Sequence, residues 1–195
     1  IAQGVARTTG RAGVALVSSG PGVTNLVTAL ADAHRDSIPL IALAGQVPVN
    51  MIGTDAFQEI DAVGMCLPLT KHCFQVRDVS ELAAAMADAF QIAESGRPGP
   101  VLIDVPKDVQ LAQMTDIAWP QIISDRRTGL ALRETAPQAD GATLERMAQL
   151  INAAERPLLY LGAGVIQSAG GAAAAQSLAA RNDLPAVATL LGLGV

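Results

Sequence analysis

With 195 residues, 50% of them hydrophobic and only 16% charged, the chain has ample material for a packed core and is too apolar to be a disordered segment. The balance of 13 basic against 18 acidic residues gives a net charge of -5, and no run of Lys or Arg could track a phosphate backbone, so nucleic acid is excluded as the natural partner. Aromatic residues make up 3%, so the core must come from Ala, Val, Leu and Ile, the mixture that parallel sheets covered by helices commonly use.

Gly13-Val-Ala-Leu-Val17 reads as a strand that runs into Ser18-Ser-Gly-Pro-Gly22, after which Val23, Leu26, Val27, Leu30 and Ala31 recur at helical spacing. Pro39 to Ala44 is a second buried strand, followed by a polar, Gly-containing loop to about Asp61. A long loop after a parallel strand is where α/β proteins keep their sites. Lys71 to Val76 is a third strand, and Ser80 is the expected N-cap of a helix with Leu82, Met86, Ala89, Phe90 and Ala93 on one face. Gly96-Arg-Pro-Gly-Pro100 ends that helix, and Val101 to Val105 is a fourth strand closed by Pro106. The alternation predicts a layered α/β unit with a parallel sheet and helices on both faces.

From Leu111 to Gly141 the periodicity dissolves, which predicts a linker. Beyond it a helix around Leu144 to Ile151, a strand at Pro157 to Leu161, a helix over Ala172 to Arg181 and a strand at Ala186 to Thr189 predict a second α/β unit. No uninterrupted apolar run reaches the roughly 18 to 20 residues of a membrane span. The chain opens at Ile1 and closes on Gly192-Leu-Gly-Val195, which reads as a piece of a longer polypeptide.

Several short motifs carry candidate chemistry. In Ser18-Ser-Gly-Pro-Gly22, glycines let the backbone approach a ligand and a helix start offers free N–H groups to an anion or polar ring; a plain tight turn explains it equally well. The loop to Glu59 gathers Thr54, Asp55, Gln58 and Glu59 beside Phe57, which alone reads as a solvated loop with an aromatic anchor. Lys107 is either an end-of-strand lysine or an anion attractor. Gly162-Ala-Gly164 is a partial dinucleotide fingerprint lacking its third Gly. His34, at a helix end, and His72, in a strand, read as structural. Cys66 and Cys73 fall at no metal-ligand spacing and read as reduced thiols of a cytoplasmic protein.

Taken together, Ser18-Ser-Gly-Pro-Gly-Val-Thr-Asn25, Ile52-Gly-Thr-Asp-Ala-Phe-Gln-Glu59, Thr70-Lys-His72 and Arg97 to Gln110 resemble the catalytic subunits of the acetohydroxyacid (acetolactate) synthases, a family of thiamine-diphosphate enzymes. The resemblance covers essentially the whole chain. It implies a pyrimidine-binding domain over 1–110 lacking its start, a linker over 111–141, and over 142–195 the beginning of a Rossmann-like middle domain. By the same resemblance, Gly20, Pro21, Gly22 and Asn25 face the cofactor's aminopyrimidine ring and the partner subunit. Phe57 and Gln58 approach the thiazolium and the second substrate of the neighbouring chain, where an apolar ring excludes water and an amide orients a keto oxygen. Lys107 stands at the substrate channel. Ser37, Arg97, Gly162, Ala163, Gly164, Thr189 and Leu190 match positions that contact FAD, which is structural in this family.

The implied reaction is decarboxylation of pyruvate and condensation with a second pyruvate or 2-ketobutyrate, on the route to branched-chain amino acids. The family's activating glutamate belongs upstream of Ile1, and its Gly-Asp-Gly motif for magnesium and diphosphate belongs in a third domain, so no metal ligand is expected in these residues and they are expected to be inactive alone. A homodimer or homotetramer with the site between subunits is implied, with a small regulatory subunit as a further partner. The alternatives are another thiamine-diphosphate enzyme, such as glyoxylate carboligase, and a non-catalytic binding or scaffolding module that kept the fold.

Overall fold

The computed structural model describes residues 1–114 and 139–195, in two units, Ile1–Ala136 and Pro137–Val195. The first unit is built on four parallel strands, β1 (Gly13–Val17), β2 (Leu40–Gln46), β3 (His72–Gln75) and β4 (Pro100–Pro106), in the order β1-β2-β4-β3. Gly13 pairs with Leu40, Leu40 with Pro100 and His72 with Val101, so the carboxyl ends of the strands rise together on one side of the sheet. All seven residues of β4 are buried, as a central strand covered on both faces requires.

Successive side chains of a strand point to opposite faces, and the core divides accordingly. Leu40, Ala42, Ala44 and Leu102 pack with Ala6, Leu30, Ala33 and Cys66, which belong to α1 (Ala2–Thr9), α3 (Val27–Arg35) and α4 (Ala62–Cys66). Ile41, Val101, Ile103 and Val105 pack on the other face with Ala85, Ala89 and Ala93 of α5 (Val79–Glu94) and with Val109 of α6 (Lys107–Leu111). Each large aliphatic side chain buried in this way contributes roughly 1.5–3 kcal/mol. β1 is less covered, with Val14 and Leu16 exposed.

Two local expectations change. The helix predicted after the glycine turn is two helices, α2 (Pro21–Thr24) and α3, because the Leu26 N–H donates to the Val23 carbonyl at 2.9 Å and tightens the chain between them. The N-cap of α5 is Asp78 rather than Ser80: its carboxylate accepts from the Ser80 N–H at 2.9 Å and from the Ser80 hydroxyl at 2.6 Å. At the other end of α5, the Lys71 ammonium donates to the carbonyls of Ile92 and Ser95, and burial lowers its pKa.

The second unit holds two parallel strands, β5 (Leu159–Leu161) and β6 (Ala186–Ala188), with α7 (Gly141–Ala153), α8 (Ala163–Gln167) and α9 (Gly171–Asn182). Asp140 caps α7 by accepting from the Thr143 N–H at 2.6 Å. Leu144, Met147 and Leu150 of α7 are exposed. Most of the predicted linker lies outside the described residues. Among the described residues no helix is long and apolar enough to cross a membrane.

Candidate functional site

Three segments converge at the carboxyl side of the first sheet, the side on which open α/β sheets bind ligands. They are the turn Ser18 to Gly22 after β1, the loop Val47 to Asp61 after β2, and Lys107 at the start of α6 after β4. The first two touch. Gly20 has φ +57, and a Cβ there would stand 2.6 Å from the Gln58 carbonyl oxygen, so only glycine lets the loop tip close on the turn. Gly45, near the end of β2, also approaches the turn, where a Cβ would lie 3.3 Å from the Ser19 nitrogen.

The start of α2 does not present free donors, contrary to expectation. Pro21 has no N–H, Gly22 donates to the Ser19 carbonyl at 3.2 Å, and Val23 and Thr24 donate to that of Gly20 at 3.0 and 3.2 Å. What it offers outward is surface, with Pro21 and Asn25 exposed. Asn25 ends α2.

The loop is tied down along its length. Glu59 accepts from the backbone N–H groups of Gly53, Thr54 (3.1 Å) and Ala56 (3.1 Å), and these bonds, that to Gly53 first, lower its pKa. Asp108, beside Lys107, accepts from the Val49 N–H at 3.1 and 3.2 Å and so couples α6 to the loop. Asp61 caps α4 by accepting from Gly64 at 2.8 Å. From this braced frame Phe57 projects with 90% of its surface exposed. Gln58 follows at φ +60, a left-handed conformation that non-glycine residues adopt only when the surroundings impose it. Lys107 is exposed, and among the described residues no carboxylate stands within ion-pair distance of it.

Beneath the loop lies a polar cluster in the sheet. Asp104 of β4 is 0% exposed. Its Oδ2 accepts from Gln46 Nε2 at 3.2 Å and Gln75 Nε2 at 3.4 Å, while its Oδ1 has no partner among the described residues. Burial pushes its carboxyl up to about 6 against the pull of the two amides, with the nearby Asp61 charge adding to the rise. The neighbouring thiol of Cys66 is pushed up to about 11 by burial, and that of Cys73, whose Sγ lies 3.2 Å from the Thr70 hydroxyl, is also raised by burial.

Arg97 and Ser37 meet in the first unit: Nε donates to the Ser37 Oγ at 2.8 Å, and Nη2 to the carbonyls of His34 (3.3 Å) and Arg35 (3.1 Å). The guanidinium thereby closes the carboxyl end of α3, and Ser37 turns at φ +59 to receive it. In the second unit the Gly162 turn and the Thr189-Leu190 turn sit together at the carboxyl ends of β5 and β6, with the Thr189 N–H on the Leu161 carbonyl at 2.9 Å. Ala163 opens α8, Leu190 is exposed, and a Cβ at Gly162 or Gly164 would meet nothing within 4 Å, so that backbone is open to approach. His34 ends α3, with its Nδ1 buried and unpartnered among the described residues, and His72 packs edge-on against Phe74 at 4.4 Å.

Residues 1–65 match the family described as "Thiamine pyrophosphate enzyme, N-terminal TPP binding domain", and residues 144–195 match the central domain of the same enzymes. The chain is 51% identical over its full 195 residues to the acetolactate synthase isozyme 1 large subunit of Escherichia coli (strain K12). The chain belongs to the thiamine pyrophosphate enzymes. It is also 49% identical over 193 residues to an acetolactate synthase of Arthrospira platensis, and 45% identical over 199 to the mitochondrial acetolactate synthase catalytic subunit of Saccharomyces cerevisiae. The matches take in 99–100% of this chain and 33%, 32% and 28% of the three relatives, so the chain spans about a third of the length of the curated relatives it matches.

The residues present suit one wall of a thiamine pyrophosphate enzyme site. The exposed Phe57 ring, the Gln58 amide and the exposed Pro21 and Asn25 make a surface part apolar, part amide, which fits a flat heteroaromatic ring carrying polar edges. Among the described residues no group of three or more His, Cys, Asp or Glu is arranged to hold a metal ion.

Sequence reasoning passed over Gln46 and Asp104. One signal was available: an Asp inside the apolar run Val101-Leu-Ile-Asp-Val105 of a predicted buried strand has to be paired, and two strands supply glutamines for it.

Proposed function

We propose that this chain is part of an acetolactate synthase catalytic subunit that decarboxylates pyruvate and joins the remaining two-carbon unit to a second 2-keto acid, pyruvate or 2-ketobutyrate. The observation that carries this reading is the 51% identity, along every residue of the chain, to a protein named acetolactate synthase. Thiamine diphosphate, when bound, supplies the electron sink that a 2-keto acid needs in order to lose CO2.

The chain's own residues bind, orient and exclude water. Phe57 places an apolar ring against the reacting carbon and keeps water from it; Gln58 donates an amide hydrogen to the keto oxygen of the incoming substrate. Lys107, exposed and without a carboxylate neighbour among the described residues, attracts the substrate's own carboxylate into the site. The turn at Gly20, Pro21 and Gly22, with Asn25, forms the wall facing the pyrimidine ring.

The site is completed by a second subunit. A Phe held 90% exposed on a loop braced by Glu59, Asp108 and Gln46 would bury its ring, worth about 2 kcal/mol, against a neighbouring chain. A homodimer or homotetramer supplies that neighbour. The relatives named large subunits support a small regulatory partner. We further propose FAD as a structural group on the open Gly162–Gly164 turn with Thr189 and Leu190, and magnesium held by parts of the protein outside these residues. Arg97 and Ser37, tied to each other in the first unit, have only the faces that their mutual bond leaves free for any flavin contact. The free thiols Cys66 and Cys73 suit a reducing compartment, and the proposed location is the cytoplasm.

The test is to express the full-length protein that contains this chain and to assay it with thiamine diphosphate, magnesium and FAD against pyruvate, 2-ketobutyrate and glyoxylate. Acetolactate from pyruvate is expected. Tartronate semialdehyde from glyoxylate, with no acetolactate, would overturn the reading in favour of a carboligase of another specificity.

A further inference from the structure

The loop that carries Phe57 and Gln58 starts and finishes on a single side chain. Gln46, the last residue of β2, is 4% exposed. Its Oε1 accepts from the Val47 N–H at 2.9 Å, the first peptide of the loop. Its Nε2 donates to the Ile60 carbonyl at 3.0 Å, the last, and to Asp104 Oδ2 at 3.2 Å. Both hydrogens of the amide are therefore used, and a buried amide so satisfied has one orientation.

Asp104 decides which. An ionised carboxylate only accepts, so Oδ2 compels the NH2 end of Gln46 toward β4 and Ile60, and leaves the carbonyl end for Val47. Rotating the amide by half a turn would set Oε1 against both the carboxylate and the Ile60 carbonyl, two repulsive contacts in place of two bonds. Gln75, opposite Asp104 in the ladder, donates to the same oxygen at 3.4 Å and fixes the carboxylate from the other side.

We infer that Gln46 is a positioning residue of the catalytic site, its one amide clamping both ends of the loop 47–60 so that Phe57 and Gln58 are presented in place, and that Asp104 sets the amide's orientation. The inference rests on the reading given above that this loop tip meets the substrates. Gln46 and Asp104 act through the loop and touch no substrate themselves. The internal bonds of Glu59 shape the loop tip and Asp108 holds Val49, but among the described residues only Gln46 joins the loop's first peptide to its last, so loss of the Gln46 amide loosens the tip.

The experiment uses the full-length protein with its cofactors bound. Gln46→Met keeps the length and apolar stem of the side chain and removes the amide. Backbone hydrogen exchange in a peptide covering 47–60 should speed up by about tenfold, as loss of the buried bonds allows, while a peptide covering α5 keeps its wild-type rate. The same variant should lose on the order of tenfold in kcat with KM for pyruvate little changed, since the loop orients what is already bound. Unchanged exchange in 47–60 would overturn the clamp, whatever the activity. Faster exchange with unchanged kcat would overturn the positioning role. If Gln46→Met does not fold, Gln46→Asn decides: an amide one methylene shorter cannot span Val47, Ile60 and Asp104, and wild-type exchange and kcat in that variant would refute the inference. The exchange measurement stands even if the wild-type protein makes no acetolactate, so failure of the clamp and failure of the proposed reaction are read separately.

Discussion

Replacing Asp104 by asparagine should make the protein's stability respond differently to pH, and the size of the change follows from the burial of one carboxyl. In the unfolded chain the group has the ordinary value of 3.8; in the fold it is raised to about 6. Below about pH 4 the carboxyl is protonated in both states and folding carries no charge penalty. Between about pH 4 and pH 6 the unfolded chain has released the proton and the fold still holds it, so stability falls as pH rises. Above the folded value both states are charged and the loss is complete. A rise from 3.8 to about 6 corresponds to about 3 kcal/mol. An asparagine side chain does not ionise, so the Asp104→Asn protein lacks this slope while its amide oxygen still accepts from Gln46 and Gln75. The assay is parallel urea titration of the two full-length proteins, followed by circular dichroism, from about pH 4.5 to 7.5. The difference in stability should move toward the variant by most of that amount across the range. Of the groups facing Asp104, Cys66 and Cys73 are raised by burial and keep their protons across this range in both proteins, the two glutamines do not ionise, and Asp61 is common to both. Two curves a constant distance apart would refute the reasoning.

Gly20→Ala should lower the stability of the first unit by about 2 kcal/mol, since a Cβ at φ +57 is strained and meets the Gln58 carbonyl at 2.6 Å; an unchanged melting temperature would count against the close approach of turn and loop. Phe57→Ala should leave subunit stability within about 0.5 kcal/mol, its ring being exposed in the single chain, yet slow acetolactate formation on the order of tenfold. Steady-state kinetics beside thermal melting separates the two effects. Glu59→Gln should open the segment 53–58 to limited proteolysis, because an uncharged amide holds three N–H groups less strongly than a carboxylate. As the Glu59 carboxyl is depressed in the fold, its hold is fully present above the ordinary value of 4.5 and fades as pH falls through the lower folded value, so wild-type resistance should decline only in acid.

Three of the four strands of the first unit, β1, β2 and β4, were legible as short apolar runs bounded by Gly, Pro or polar residues, and Gly13–Val17 agrees at both ends, whereas β3, His72-Cys-Phe-Gln75, is of mixed polarity. The alternation of faces was legible in principle but hidden, since a strand covered on both sides shows no polar period. Residues 1–12 hold only two large apolar side chains, Ile1 and Val5, and α1 buries only Ala6, which is why no helix was expected there. The cap of α5 was misplaced by two residues because Asp78 and Ser80 are both good caps and the carboxylate takes both of the serine's hydrogens. Of the candidate site, the loop and the turn were visible as motifs. Their contact through Gly20 and Gln58, and the clamp by Gln46, join residues 38 and 14 positions apart in the chain, and only the folded sheet brings them together.

The strand order also has a consequence for how the chain assembles. β3 is made before β4 and, among the described strands, pairs with β4 alone. During synthesis His72–Gln75 therefore waits for Pro100–Pro106, with α5 completed in between, before it can join any ladder. β1 and β2, with 22 residues between Val17 and Leu40, need no such delay. The late strand is thus the keystone: a nascent chain halted before Pro100 should hold a two-stranded β1–β2 ribbon and an unpaired β3, and amide exchange on such stalled chains would find protection of β3 arriving only once β4 is complete.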